Sequence, residues 1–491
     1  MKRKLLLISP LNQRRKGMSI SWDARYRPLG LGIIAALTPD HWDIKIIDEN
    51  FDTFEYEDAD LVGFTAFTSS AFRVYELAKL YKDKGIKTVM GGIHASMVPD
   101  EAEKYVDTVV VGEAESVWAK LLADFEAGNM QTRYLGEQIS LDQMPVARHD
   151  LFHKDYLFGS VQTTRGCPSD CEFCSVHVFN GHVHRLRPVE DILNELEQIP
   201  QRLIFFVDDN IIGYSKKSRD RAISLFKGMV DRKLNKLWFS QTSMNIAEDK
   251  EVLKWAKKSG CKTILIGIES EAEEALSETN KQVNLRVGVN KYKKQFKKIQ
   301  RMGIPVMGTF IFGMDSDSLE SLKKRTDFIL NCGVDSVQAS ILTPLPGTRL
   351  YEKYDSSNRL TATNYPFDWQ KYHFGEPVIQ PEKISDHDLY RTMWTNWARI
   401  YNIWELRRRL LRTFWRTRSF SSAWWSYVAN WHYRRIWFET LPILPDDRKS
   451  KNYKWVMDLK IPEDEATNKE GISVKMKPSE SEEHRYNSDR A

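Results

Sequence analysis

Apolar runs and amphipathic stretches alternate from the start of the chain. "KLLLIS" from Lys4, "DIKIID" from Asp43, "DLVGFTAF" from Asp60, "KTVMGGI" from Lys87 and "DTVVVGE" from Asp107 predict five strands. These runs are almost continuously apolar and are separated by helical patterns, which predicts a parallel sheet covered by helices on both faces. Residues 1–128 therefore read as a doubly wound α/β domain, and 129–160, which include "MPVARHD" and carry no clear period, as a linker. A second alternation follows over 161–385, with strands predicted at "VQTT", "LIFFVDD", "KLWFSQTS", "KTILIGIES", "PVMGTFIFG" and "DSVQASIL". Six strand–helix units suit an open, partial barrel with its chemistry at the carboxyl ends of the strands. Tryptophan, tyrosine and arginine dominate 386–445, which reads as helical, and the tail 446–491 reads as largely disordered toward its end.

Composition narrows the class. A chain of 491 residues, 42% hydrophobic and 28% charged, is long enough for two or three domains, and its net charge of +5 gives no general affinity for polyanions. The opening "MKRKLLLISP" begins like a signal peptide, but its apolar run from Leu5 to Ile8 is too short and meets Pro10. No apolar run reaches the roughly 18 residues of a spanning helix, so any membrane contact is peripheral. Five cysteines, three of them crowded together and Cys261 and Cys332 far downstream, do not form a disulfide framework. A reducing cytoplasm is the expected compartment.

Small and polar residues sit at the predicted strand ends of the first domain: Thr65 and Ser69, Gly91, Gly92 and His94 in "GGIHAS", and Gly112 and Glu113 in "GEAE". A ligand in such a fold lies against the carboxyl strand ends, where glycine lets a large group approach the backbone, although the same glycines also turn a chain. In the second domain Cys167, Cys171 and Cys174 follow the first strand. Crowded thiolates bind soft metals. A structural zinc needs a fourth ligand, which His177, His182 or His184 offers; a cubane iron–sulfur cluster on three cysteines keeps one iron open.

The spacing CxxxCxxC, with Phe173 just before the last cysteine and the whole placed after the first of six strands, resembles the radical S-adenosylmethionine (radical SAM) superfamily. The resemblance implies a 4Fe–4S cluster on the three cysteines, S-adenosylmethionine on the open iron and its cleavage to a 5′-deoxyadenosyl radical. It also implies a reductant such as flavodoxin or ferredoxin. Phe173 would lie against the adenine, with "GTFIFG" from Gly308 shielding it; Asp209, Gln241, Ser243, Glu269 and Ser270 would meet the ribose and the methionine ammonium, or else cap helices. The first domain, through "RYRPLGLGIIAAL", "GGIHAS" and "VVVGEAE", resembles the Rossmann-like cobalamin-binding domain of one subgroup, so the likeness covers about the first 385 residues. The DxHxxG motif that puts histidine on cobalt is absent, and His94 stands in another context. What the subgroup implies is methylation of an unactivated carbon. A radical cyclase using the same cofactors and a non-catalytic zinc or corrinoid carrier are the rival readings.

The eight tryptophans of 391–437 are interleaved with arginines, as in an element lying at a membrane interface, or else they form a cap packed on the barrel. Single-stranded nucleic acid is a third, less favoured reading. "FFVDDNIIG" and the overall layout resemble subgroup members that act on hopanoids and other isoprenoid lipids, and tetrapyrrole-modifying members are also similar. A hydrophobic small molecule is the expected substrate.

Overall fold

A computed structural model describes residues 2–12 and 26–439. Arg25, residues 440–445 of the expected helical region and the tail expected to be disordered lie outside the described residues. The first domain is built on β1 (Arg3–Ser9), β2 (Trp42–Asp48), β3 (Leu61–Thr65), β4 (Lys87–Gly91), β5 (Thr108–Gly112) and β6 (Arg133–Gly136). All pair in parallel in the order β2-β1-β3-β4-β5-β6. The continuous apolar runs have the expected cause: Val62, Phe64, Met90 and Val109 pack on Tyr75 and Tyr81 on one face, while Leu5, Leu7, Val89 and Val110 pack on Trp42, Trp118 and Leu121 on the other. The strand order reverses between β1 and β3, and this is where an open sheet of this kind parts to receive a ligand.

The segment expected to be a linker contains β6. Gly112 and Gly136 face each other across β5 and β6, where a Cβ on either would lie 2.4 Å or 2.2 Å from the opposite backbone, so this pairing requires glycine. The four-residue "RYLG" buries one residue, Tyr134, too few to register as a strand in the pattern. The rest of the segment packs Leu141, Met144 and Ala147 beneath the helix Leu29–Leu37.

The second sheet is β7 (Phe158–Val161), β10 (Leu203–Phe206), β11 (Leu237–Thr242), β12 (Cys261–Glu269), β13 (Val306–Phe312) and β14 (Ser336–Ile341), parallel throughout in the order β14-β13-β12-β11-β10-β7. This is the expected partial (β/α)6 barrel. Its first strand lies three residues before "VQTT"; Thr164 belongs instead to a small antiparallel ribbon of β8 (Thr164–Arg165) and β9 (Arg185–Leu186). Cys261 and Cys332 are buried core residues, as expected.

The helices Asp386–Ile400, Ile403–Thr417 and Phe420–Glu439 close the barrel. The Tyr401 hydroxyl donates to Val337 O (3.1 Å) and accepts from Ala339 N–H (3.2 Å), and Trp397 Nε1 donates to Ala339 O (3.0 Å). Side chains thus satisfy the open edge of β14 and block further strand addition. Trp425 enters against Phe158 and Phe239. Several arginines of this region turn to the barrel: Arg412 and Arg416 donate to Val334 O and Gly333 O, just past the helix Leu319–Cys332, and Arg408 to Leu330 O. They complete the carboxyl end of that helix. No described helix is long and apolar enough to cross a membrane.

After β13, Asp315 ties the barrel to the segment that follows β14. Burial alone would raise its carboxyl, but hydrogen bonds from Arg359, Lys353 and Tyr354 outweigh it and hold it at about 2. A depressed carboxyl stabilises the fold above its unfolded value and loses that contribution as pH falls through the folded one. Asp315→Asn is expected to cost about 2 kcal/mol at neutral pH, and its deficit relative to wild type should shrink between about pH 4 and pH 2. Urea midpoints of the two proteins across that window check this.

Candidate active site

The three cysteines share one loop closed by the β8–β9 ribbon. Gly166 makes the entry: its φ is +86°, and a Cβ there would lie 2.1 Å from Val183 O. Cys167 N–H donates to Gly181 O and Cys174 N–H to Cys171 O, both at 3.1 Å. Asp208, fully buried, anchors the loop by accepting from Thr163 N–H, Thr164 N–H and Thr163 Oγ1, each at 2.6 Å, and is therefore structural. All three thiols are free. Burial pushes Cys171 up and Cys174 up to about 12, so the loop by itself favours thiols over thiolates, and a strong positive charge is needed to reverse that.

The donor set fits a cubane better than a zinc ion. His184 is engaged by Asn210 O (2.9 Å) and Ser218 Oγ (3.1 Å). Among the described residues, the group tight enough for a single ion is Asp170, His177 and His182, with ligand atoms within 4.8 Å of one another, and it includes none of the cysteines. Three soft thiols spread around one loop, with no histidine among them, match the corners of an iron–sulfur cluster.

Beside the loop, the end of β12 is distorted. The register with β13 slips between Gly267 and Glu269, and Glu269 adopts φ +62°, a left-handed conformation that costs a non-glycine residue about 1–3 kcal/mol. Its carboxylate accepts from Lys281 Nζ (2.8 Å) and Thr309 Oγ1 (3.0 Å). A Cβ at Gly267 would lie 2.4 Å from the same carboxylate. Lys281 Nζ sits 5.6 Å from the centre of the Phe173 ring. Burial would lower this ammonium, but Glu269 outweighs it and raises it, and Cys171 and Cys174 add to that once they are thiolates. One half-buried cation thus stands next to two of the three thiols. Lys281 carried no sequence signal, since it lies in no motif and at no distinctive spacing; Thr309 lies inside "GTFIFG", but that segment pointed to shielding of the adenine and not to a hydroxyl on Glu269.

The other predicted positions divide. Asp209 is raised to about 7 by burial and then by Asp208, accepts from Asn180 Nδ2 at 3.4 Å and is near Cys174. Ser243 bonds Tyr214 and Asn210 at the end of β11, beside the half-buried Gln241. Ser270 is a correction: it is fully buried, and its Oγ accepts from Ala272 N–H (3.0 Å), so it shapes a turn.

In the first domain Thr65, Ser69, Gly91, Gly92 and Gly112 line the strand ends and are half-buried, with Phe67 exposed among them. Gly92, at φ +89°, lets the chain pass Thr65, whose Oγ1 would be 2.6 Å from any Cβ there. This open, glycine-lined sheet end fits a large ring. Two expectations are corrected. His94 has no exposed surface and is held by Tyr75 OH (3.2 Å) and Thr68 Oγ1 (3.4 Å), so it offers no nitrogen to a ligand. Glu113 pairs with Arg165 (3.1 Å) and Arg185 and accepts from Ile139 N–H, tying β5 to the cysteine ribbon. With Glu115 on Arg165 and the helix Ile93–Met97 packed against Val176–Asn180, the carboxyl ends of β4 and β5 lie against the cysteine loop.

Comparison with known proteins agrees with this geometry. The B12 binding domain matches residues 16–122 and the Radical SAM superfamily residues 161–329. The bacteriochlorophyllide d C-12(1)-methyltransferase of Chlorobaculum tepidum is 30% identical over 79% of this chain and 85% of its own. The chain belongs to the cobalamin-dependent radical SAM methyltransferase family. The enzyme is also 28% identical to the hopanoid C-2 methylase of Rhodopseudomonas palustris, over 68% of this chain and 65% of that protein. It is 26% identical to the anaerobic magnesium-protoporphyrin IX monomethyl ester cyclase of Cereibacter sphaeroides, over 74% and 62% respectively. Its fold matches that of the radical SAM methyltransferase TsrM of Kitasatospora setae, solved with cobalamin and a 4Fe–4S cluster, at a TM-score of 0.60, with 16% identity over 80% of this chain and 85% of that one. The enzyme's cofactors are accordingly a 4Fe–4S cluster, S-adenosylmethionine and cobalamin.

Proposed function

We propose that this enzyme methylates an unactivated carbon of a hydrophobic, ring-containing substrate, either an isoprenoid lipid or a tetrapyrrole. The observation that carries the reading is the apposition of the two sheets. The Glu113–Arg165 and Glu113–Arg185 pairs bring the glycine-lined ends of β4 and β5 against the cysteine loop, so both cofactors would open into one cleft. Moving a methyl group between a corrinoid and a carbon activated elsewhere requires such proximity.

In this reading Cys167, Cys171 and Cys174 hold the cluster, and Glu269 and Lys281, with Asp209, Gln241 and Ser243, bind and orient S-adenosylmethionine against Phe173. Thr65, Ser69, Gly91, Gly92 and Gly112 receive the corrinoid with no histidine on its metal. When bound, these groups supply the electron that cleaves the sulfonium and the methyl that is delivered. The protein's part is to hold them in register and exclude water. Lys281 offsets thiolate charge, and Glu269 accepts from cations or hydroxyls. A flavodoxin- or ferredoxin-like reductant and a cytoplasmic site of action belong to the same proposal.

The relatives at 30% and 28% identity carry tetrapyrrole and hopanoid methylation in their names, which supports a hydrophobic substrate. The cyclase relative favours one alternative, ring closure without methylation. Incubating the loaded enzyme anaerobically with chlorophyllide-type and hopanoid extracts, S-adenosylmethionine carrying a labelled methyl and dithionite separates them. Methylation adds one labelled methyl to the product, whereas cyclisation removes hydrogens and leaves the label behind, which would sink the methyltransferase reading.

A further inference from the structure

The helices Ile403–Thr417 and Phe420–Glu439 satisfy the barrel with one side of their surface only. Inward, Leu406 is buried, Trp397 stacks on Trp437 at 4.1 Å, and Thr413 and Asn430 hydrogen-bond Asp335. Outward, Trp404, Trp415 and Phe420 remain 70%, 66% and 66% exposed, with Leu411, Phe414 and Trp424 also open. Phe420, Trp424, Tyr427 and Trp431 form a ladder of near-parallel rings along the second helix. Tyr427 and Trp431 are half-buried, but Trp404, Trp415, Phe420 and Trp424 stay outside the core, and so large an exposed apolar surface marks an interaction site.

Its charge points to the partner. Residues 403–437 contain eight arginines and a single carboxylate, Glu405. Glu405 is occupied by Arg408 and Arg409, while Arg412 and Arg416 serve backbone carbonyls of the barrel. On the outer face Arg407 lies 4.9 Å from the Trp404 ring and Arg418 6.0 Å from Trp415, while Arg434, 5.8 Å from Trp431, is half-buried and donates to Tyr401 O. Tryptophan beside arginine, with no carboxylate left over, complements a layer that is apolar below and anionic above. A second copy meeting this patch by a two-fold axis would set like-charged arginines against one another. No described helix can span a bilayer, so the element would lie on the surface.

We infer that this helical hairpin docks the enzyme peripherally on an anionic lipid surface through Trp404, Trp415, Phe420 and Trp424, with Arg407 and Arg418 at headgroup depth. The inference does not depend on which substrate is methylated.

Flotation of the full-length protein with phosphatidylcholine vesicles, with and without phosphatidylglycerol, tests it. The wild type is expected to float with the anionic vesicles and to be released by salt. Trp404→Ser/Trp415→Ser/Trp424→Ser should abolish flotation, and Arg407→Gln/Arg418→Gln should weaken it by roughly fivefold per arginine on anionic vesicles alone. Melting temperature and cobalamin binding, unchanged in both variants, show that the fold is intact. No flotation, or equal flotation with neutral vesicles, overturns the proposal. So does a wild-type dimer that the tryptophan variant dissolves without any vesicle binding, or a patch that takes up single-stranded oligonucleotide in preference to vesicles.

Discussion

Cys171→Ala, reconstituted anaerobically with iron and sulfide, should bind little of either and form no 5′-deoxyadenosine above the protein-free control. The expected loss is total because the loop holds three cysteines and no substitute. His184 is committed to Asn210 and Ser218, and His177 and His182 group with Asp170 in a set that includes none of the cysteines. Cys171 is also 5% exposed, so its replacement opens no route for a water ligand from bulk solvent. The fold should survive, since the loop is anchored by Asp208 and by the β8–β9 ribbon and not by the thiol. Cys261→Ala serves as the control: this thiol is equally buried but packs in the core at the start of β12. It should keep full iron and sulfide content at a modest cost in stability of about 1 kcal/mol. Equal loss of iron from both variants would show that burial, not ligation, explains the first result.

What was legible in the sequence and what was not follow from the range of the interactions. Ten of the eleven predicted strands coincide with strands of the two sheets, because a strand buried on both faces needs only its own apolar run to be recognised, and the eleventh, "VQTT", shares only Val161 with β7. β6 escaped because four residues with one buried side chain carry almost no pattern; its place is fixed by the contact of Gly112 with Gly136, twenty-four positions apart. The cysteine trio could be read because three ligands lie within one short loop. Lys281 could not, because its partners, Glu269 in a strained conformation and Cys171 more than a hundred residues earlier, are brought to it only by the fold. His94 and Glu113 looked like ligand-facing residues at strand ends, and the neighbours that occupy them, Tyr75, Arg165 and Arg185, lie on other elements. The C-terminal arginines could not be sorted by sequence for the same reason: Arg407 and Arg418 stay exposed, whereas Arg412 meets Val334 O at a helix end 78 residues away.

Lys281→Met should be strongly destabilising, by about 3–5 kcal/mol, because it leaves the buried Glu269 carboxylate without its partner, and Glu269→Gln less so, because Lys281 keeps part of its surface in water. The double variant should recover much of that loss, since two neutral side chains of similar size replace the pair and the coupling between adjacent residues is not additive. Urea midpoints of the four proteins measure this. Deoxyadenosine formation should behave differently. If Glu269 is held in its left-handed conformation to face S-adenosylmethionine, the strain at the end of β12 is maintained for function and the carboxylate itself is required. The double variant should then be folded and carry iron and sulfide, yet bind S-adenosylmethionine weakly and remain inactive. A stable double variant that regains deoxyadenosine formation would show that the pair only supports the fold. A double variant as unstable as either single one would mean that the ammonium of Lys281 is balanced mainly by the cysteine sulfurs, its other charged neighbours. Adding iron and sulfide should in that case stabilise the wild type markedly and the Lys281→Met protein much less.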